Sequence, residues 1–131
     1  MSLSQNISDL TGVIARELKT RIEANHPGVA RAWVCFGIKA NRSVVVKAAW
    51  NVRSVVRLAR GKYRVVFAHP MPDTHYCWHA HGVPLNWLVA MTNIGMRIQG
   101  RVKTLDCLEI ACSTALGLSI DSSEISVTVW R

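Results

Sequence analysis

Four of the five histidines of this chain lie in one short segment, HPMPDTHYCWHAHG at residues 69–82. The positions from 75 to 81 alternate between two sets of side chains, one with His75, Cys77, His79 and His81 and the other with Tyr76, Trp78 and Ala80. If this stretch is a β-strand, each set occupies one face. Imidazole nitrogens are common transition-metal ligands, and residues two apart on a strand have Cα atoms about 7 Å apart, close enough to chelate one ion. His79 and His81 are therefore the candidate metal ligands.

A metal site built from this pair is incomplete within one chain. The next acidic residue after His81 is Asp106, so the glutamate that follows His-x-His in cupin metal sites is missing, and zinc hydrolase and deaminase signatures are absent. Three copies of the pair at a threefold axis would supply an octahedral set of nitrogen ligands suited to iron, nickel or cobalt. The alternative is a solvent-facing or inter-subunit strand whose histidines form local hydrogen bonds. Apart from this transition metal, the sequence predicts no cofactor.

The residues that precede the histidine strand favour a turn over catalysis. Pro70 pushes His69 toward an extended conformation, and Asp73 is predicted to form a turn through its side chain. The chain has only eight carboxylates, and its serine, histidine and aspartate residues lack the context of a nucleophile elbow. The sequence therefore predicts no catalytic residue and a protein that is not an enzyme.

The cysteines and the N-terminus indicate the folding compartment. Cys35, Cys77, Cys107 and Cys112 have no spacing typical of a zinc ribbon or a redox motif, which predicts buried free thiols in a reducing compartment. The first residues, MSLSQNISDLTG, combine neither a positive start nor an apolar stretch, so they do not resemble a secretory signal. We therefore expect the chain to fold in a cytosol.

Composition and charge limit the kinds of partner that we expect. A chain of 131 residues is most simply one domain. Half of its residues are hydrophobic, which predicts apolar surface buried between subunits, yet no run approaches the roughly 20 apolar residues of a membrane span. The net charge is +8, but the basic residues are spread singly, without interleaved stacking aromatics. We therefore expect neither a membrane nor a nucleic-acid partner.

One helix is predicted, at residues 6–24. Apolar residues recur there at steps of three and four, at Ile7, Leu10, Ile14, Leu18 and Ile22. Asn6 is the predicted N-cap, Asp9 lies in the predicted first turn, and Pro27 with Gly28 stops the helix. The apolar stripe suits either a short helical bundle between chains or a helix lying across its own domain. In the first arrangement, these five residues form the oligomer interface.

From residue 30 onward, short runs rich in Val, Ile, Trp and Tyr predict β-strands separated by turn signals. The runs cover residues 31–36, 42–58, 62–68, 75–82, 86–92, 96–104, 108–113 and 124–130. No helix interrupts them, which favours an antiparallel β-sandwich over a βαβ fold. The predicted fold is therefore mainly β, with an amphipathic helix and turn at residues 1–28 for oligomerisation and a sandwich of seven to eight short strands at residues 29–131.

The order of several motifs resembles a pattern found in tail-fibre and other minor virion proteins of tailed bacteriophages. Residues 48–78, AAWNVRSVVRLARGKYRVVFAHPMPDTHYCW, are similar to the family's fNVSSV strand followed by GxYxVxF and AMPDxxY. The matching residues are Asn51, Val52, Ser54, Gly61, Tyr63, Val65, Phe67, Met71, Pro72, Asp73 and Tyr76. The segment ARAWVCF resembles the family's AWVNF opening, and IDSSEISVTVWR at residues 120–131 resembles its C-terminal ending. Residues 82–104 match poorly.

This resemblance implies a mostly β, non-enzymatic appendage domain of a virion, assembled in the cytoplasm of a bacterial host. The implied partners are two further copies in a homotrimer, other virion proteins, and a glycan or protein of the host surface. A different function remains open from the residues themselves, namely a small β-barrel module that binds a metal or small ligand through residues 75–81.

Host contact is expected in loops at the sandwich end remote from the helix. Residues 82–96 lie where the resemblance is weakest, and Asn86 and Trp87 are the candidate contacts because an indole stacks on a sugar ring and an amide bonds its hydroxyls. The chain is rich in tryptophan, with Trp33, Trp50, Trp78, Trp87 and Trp130. Since Trp is enriched at interfaces, some are expected to be interface anchors, with core packing as the alternative for any one of them.

Overall fold

The chain is one helix followed by eight strands in a computed structural model that describes residues 2–20, 23, 26–85, 92–96 and 103–131. In chain order the elements are α1 (Leu3–Thr20), β1 (Ala30–Ile38), β2 (Val44–Trp50), β3 (Val52–Ala59), β4 (Lys62–Phe67), β5 (Cys77–Pro84), β6 (Thr92–Met96), β7 (Cys107–Thr114) and β8 (Ser122–Trp130). The predicted strands at 86–92 and 96–104 lie largely outside the described residues. None of the described helices is long and apolar enough to cross a membrane.

The strands form two four-stranded antiparallel sheets. Sheet A has the order β2-β1-β8-β5, and sheet B has the order β3-β4-β7-β6. The inner faces of both sheets carry the apolar residues, as expected when strands alternate side chains between core and solvent. The predicted mainly β sandwich behind one N-terminal helix is confirmed.

The predicted strand at residues 42–58 is two strands in different sheets. Asn51 separates them with a left-handed φ of 54°, a conformation that Asn adopts more readily than other non-glycine residues. The chain there passes from β2, at the edge of sheet A, to β3, at the edge of sheet B. The prediction of one continuous strand is wrong because the run is apolar on both sides of a single turning residue.

The core lies between the two sheets. Alternate residues of β4 and β8 are buried, which confirms the predicted shared faces. Phe36 packs edge-on against Tyr63 with ring centroids 5.3 Å apart, and Phe67 packs likewise against Tyr76 at 5.7 Å. The fully buried apolar residues of the strands include Ala32, Val34, Phe36, Tyr63, Val65, Leu108, Ile110, Cys112, Ile125, Val127 and Val129.

The helix begins three residues earlier than predicted. The Ser2 carbonyl accepts the Asn6 N–H at 3.1 Å and the Ser2 hydroxyl accepts the Gln5 N–H at 3.3 Å, so Ser2 is the N-cap and the prediction of Asn6 is wrong. Asp9 consequently lies beyond the first turn, where it accepts a hydrogen bond from the Gln5 amide at 3.2 Å. The described helix ends at Thr20, before the predicted end at residue 24.

The apolar stripe of α1 is not covered by the sandwich. Every side chain from Leu3 to Glu17 is exposed, and Ile7, Leu10 and Ile14 are 57%, 60% and 51% exposed. The helix therefore does not lie across its own domain, which was the second predicted arrangement. The side chain of Leu18 and the whole of Ile22 lie outside the described residues.

Candidate functional site

The histidine strand is β5, at one edge of sheet A. His79 and His81 are exposed and alternate with the partly buried Trp78 and Ala80, which confirms the two predicted faces. Their imidazole rings lie edge to face with centroids 4.4 Å apart. Each chain therefore presents two adjacent imidazoles to solvent on the outer face of sheet A.

The imidazole pair has no third ligand nearby in the described part of its own chain. No cluster of three or more His, Cys, Asp or Glu side chains suitable for a metal ion occurs among the described residues. Cys77, on the same face, is exposed, so the prediction of a buried thiol is wrong for this cysteine. Its thiol donates to the Trp130 carbonyl oxygen at 3.8 Å. A metal held at a threefold axis by His79 and His81 therefore stays a prediction that depends on further chains.

Asp73 has the predicted turn role and an additional one. Its Oδ1 accepts the His75 N–H at 2.8 Å, which closes the turn before β5. Both carboxylate oxygens also accept from the Arg131 guanidinium, at 2.8 and 2.7 Å. This charged pair, with the His75 N–H, lowers the pKa of Asp73 to about 2. Asp73 thus ties the loop before β5 to the end of β8.

A second carboxylate, that of Asp121, was not among the predicted site residues. It accepts hydrogen bonds from several donors at and beside the β3–β4 turn. Its Oδ1 accepts the Tyr63 hydroxyl at 2.6 Å and the Gly61 N–H at 2.9 Å, and its Oδ2 accepts Arg57 Nη2 at 2.8 Å. Burial raises the pKa of this carboxyl, but the three donor residues outweigh burial and lower the pKa to about 2. Burial and the Asp121 carboxylate also raise the pKa of the Tyr63 hydroxyl.

These contacts give Asp121 a structural role. The carboxylate is 8% exposed and its donors come from the β3 strand, the turn and β4, so it joins the turn to the start of β8. The sequence signal for this network was the resemblance of the GxY and IDSSE segments to the phage pattern. These segments contain Gly61, Tyr63 and Asp121, but the resemblance does not indicate that the three residues are in contact.

The outer face of sheet A carries an uncovered row of side chains across all four strands. Trp33 pairs in register with Trp50 on one side and with Thr128 on the other, and Thr128 pairs with His79. The next row contains Ala48, Cys35, Ser126 and His81. Trp33 and Trp50 are 39% and 46% exposed, so neither indole is packed into the core.

The other tryptophans have different environments. Trp78 packs against the core from its partly buried position on β5, and Trp130 is half-buried at the end of β8. Trp87 and Asn86, the candidate contacts with a host surface, lie outside the described residues. Core packing is therefore the role of Trp78, and the two exposed indoles on β1 and β2 remain as the aromatic candidates for contact.

A cleft of about 430 Å³ opens beside Trp50, at the end of the sandwich where β1 begins. Its walls include Arg31, His69 and Pro70. Asn51 holds these walls together: its amide nitrogen donates to the Arg31 carbonyl at 2.9 Å, and its Oδ1 accepts the His69 N–H at 2.8 Å and contacts His69 Nδ1 at 3.2 Å. The left-handed turn of the chain thus also shapes the cleft.

Residues that carry the resemblance to phage proteins have structural positions. Asn51 fixes the crossing between sheets, Gly61 occupies a turn with a φ of 68°, and Tyr63, Met71 and Tyr76 are buried. These motif residues therefore stabilise the sandwich, and their positions give little information about a ligand.

Comparison of this sequence with models of known protein families finds no match, and comparisons with curated proteins and with solved structures find none either.

Proposed function

We propose that this chain is a structural protein of a phage or prophage virion, a tail-appendage domain that forms a homotrimer through α1. The observation that carries the proposal is the uncovered apolar stripe of α1 beside a sandwich that already has its own core. The motif resemblance supports the virion part of the proposal, since the motifs lie at the turns and core positions that define this sandwich.

The stripe supports assembly for an energetic reason. Most of the stability of a helix in a protein comes from packing of its apolar face, yet the described side chains of the 18-residue α1 are exposed. Burying each Leu or Ile of the stripe against another chain would contribute about 1.5–3 kcal/mol. Ile7, Leu10 and Ile14 lie on one side of the helix, as required for a bundle of parallel helices. Association would therefore stabilise both the helix and the assembly.

Substitution within the stripe tests this mode of assembly. The double variant Ile7→Ser and Leu10→Ser should lose the trimer in analytical ultracentrifugation while keeping the near-native circular dichroism of the β-domain. Val56→Ser is the matched control, because Val56 is exposed on sheet B at 43% and lies far from α1 in sequence. A double variant that keeps the wild-type mass would exclude α1 as the interface.

The virion assignment needs a test of its own. Antibodies against the chain should label one end of phage particles induced from the bacterium that encodes it, when viewed by immunogold electron microscopy. Label confined to the cytoplasm of lysed cells, with particles unlabelled, would contradict the assignment.

A second candidate function rests on the adjacent rings of His79 and His81. In this alternative the chain is a β module that binds a transition metal through residues 75–81. Equilibrium dialysis against Ni²⁺ would then show binding that His79→Ala abolishes and His26→Ala leaves intact, since His26 lies in the exposed turn before β1. Equal Ni²⁺ binding by both variants would rule out this alternative.

A further inference from the structure

We propose that the outer face of sheet A, together with the cleft beside Trp50, binds an acidic saccharide. The site is built on Arg31, Trp33, Trp50 and His69, with Thr128 and His79 continuing the row across the sheet. It does not include Asn86 or Trp87, which lie outside the described residues. The inference does not depend on the proposed trimer, because every residue in it comes from one chain.

The two indoles make the stacking surface. Trp33 and Trp50 are direct register partners on neighbouring strands, which lie about 4.8 Å apart. Both indoles lie on the outer face of sheet A and are partly exposed. Sugar rings have apolar C–H faces and hydroxyl rims, so a flat aromatic surface bordered by polar side chains fits one ring face. Adjacent indoles offer room for consecutive rings of an oligosaccharide.

The polar groups for the hydroxyl rim lie beside the indoles. Asn51 Oδ1 only accepts hydrogen bonds, so its contact with His69 at 3.2 Å requires a proton on Nδ1 and leaves Nε2 for a ligand hydroxyl. His69 Nε2 has no hydrogen-bond partner among the described residues. The Thr128 hydroxyl follows Trp33 in the row and can donate or accept. The cleft of about 430 Å³ falls within the size range of small-molecule sites.

Charge favours an acidic ligand over a neutral one. The chain carries a net charge of +8, and Arg31, whose Nε donates to the Arg131 carbonyl oxygen at 2.9 Å, lines the cleft. Two nearby acidic residues are already paired: Asp73, which follows the cleft residue Pro72, with Arg131 at 2.7 Å, and Glu124, on strand β8 of sheet A, with Lys47 at 2.6 Å. An anionic ligand would therefore meet a positive potential at the site without an unpaired carboxylate of these two residues to repel it.

The opposite face of the sandwich has a different character. On sheet B, Arg64 pairs with Glu109 at 2.8 Å, and the Glu109 side chain is 3% exposed. Val56 stands beside Arg64 in register. This face carries an ion pair and an aliphatic side chain, whereas the outer face of sheet A carries two indoles. A substitution on the outer face of sheet B is therefore the control for binding at sheet A.

The test is calorimetric titration of the full chain with a hyaluronan hexasaccharide, which carries carboxylates, and with fully N-acetylated chitohexaose, which is neutral. We expect hyaluronan to bind and chitohexaose to bind at least about tenfold more weakly. Trp50→Ala should weaken hyaluronan binding about tenfold or more, as expected for an indole at the centre of a site. Val56→Ala should bind as the wild type does. Arg31→Gln should weaken binding, whereas Arg60→Gln, a charge change at the β3–β4 turn, should not.

Four results would overturn the proposal or the class of ligand that it names. The first is no binding of hyaluronan at millimolar concentration. The second is equal binding by Trp50→Ala and wild type, which would indicate attraction by net charge alone. The third is a change of solution mass in Trp50→Ala, which would identify this face as an interface between copies of the chain. Chitohexaose binding as tight as that of hyaluronan would overturn the acidic class of ligand.

Discussion

At the scale of single residues, the chain depends on a few polar side chains that join segments distant in sequence. Asp121 accepts hydrogen bonds from Arg57, Gly61 and Tyr63, and Asn51 joins the start of β1 to the loop after β4. A buried carboxylate is stabilising only while its donors remain in place, because removing one side of such a network leaves the other desolvated.

The Asp121 network predicts a defined loss of stability in acid. The pKa of Asp121 is about 2 in the folded chain against an ordinary value of 3.8, so its contribution is complete above about pH 5 and is lost as the pH falls toward 2. The loss at pH 2 amounts to about 2 kcal/mol of unfolding free energy. Urea unfolding at pH 6, 4 and 2 measures it.

The variant Asp121→Asn should be about 3 kcal/mol less stable than wild type at pH 6, with a smaller difference at pH 2. Asp106→Asn is the control, since Asp106 is exposed and its carboxylate has no comparable set of donors in the part of the chain that the structure describes. Asp73 keeps its pair with Arg131 in every variant, so some acid sensitivity remains. A constant difference between Asp121→Asn and wild type across this range would contradict the assigned pKa.

At the scale of elements, turns decide which strands enter which sheet. Asn51 sends the chain from sheet A to sheet B, and Gly61 closes the hairpin that places Tyr63 over Asp121. A Cβ atom on Gly61 would come within 2.5 Å of the Cys112 carbonyl oxygen and 2.8 Å of the Ile120 backbone. Gly61 is required there both for its φ of 68° and for this close approach.

Two glycine substitutions separate these requirements. Gly117 has a similar φ of 82°, but a Cβ there would meet nothing within 4 Å. Gly117→Ala should therefore lower the free energy of unfolding by about 1 kcal/mol, the cost of a left-handed φ at a residue with a Cβ atom. Gly61→Ala should lower it by about 3 kcal/mol, because the surrounding backbone must also shift. Thermal or urea unfolding of the two variants gives the comparison. Equal losses of stability in the two variants would show that the backbone around Gly61 accommodates a Cβ atom without a loss of stability.

The elements also show what can be predicted from sequence. Period-two alternation in YRVVF and ISVTVW identified core faces correctly, because local pattern determines which side of a strand is buried. The break at Asn51 was missed because both flanking runs are apolar. The N-cap was predicted wrongly for a different reason. Ser2 and Gln5 have the spacing of a capping box, but the predicted start was placed next to Ile7, where the apolar stripe begins.

The site was less predictable than the fold. The shared face of His79 and His81 followed from alternation alone. The pairing of Trp33 with Trp50 and Thr128 depends on sheet register, which links residues far apart in sequence and leaves no local pattern. The cleft beside Trp50 depends further on the turn at Asn51, so it could not be inferred before that turn was located.

At the scale of the whole molecule, the chain combines a β-sandwich that has its own core with a helix that has no apolar partner among the described residues. The sandwich needs no help from α1, because its core is filled by residues of both sheets. The helix, in contrast, leaves an apolar stripe in water, which a stable protein covers by association. Assembly through α1 is therefore the central claim.

Light scattering of the purified chain in solution tests that claim most directly. A homotrimer would have three times the mass of the 14.6 kDa chain, about 44 kDa. A mass of 14.6 kDa at micromolar concentration would mean that the exposed stripe of α1 does not associate, and it would contradict the proposed trimeric appendage.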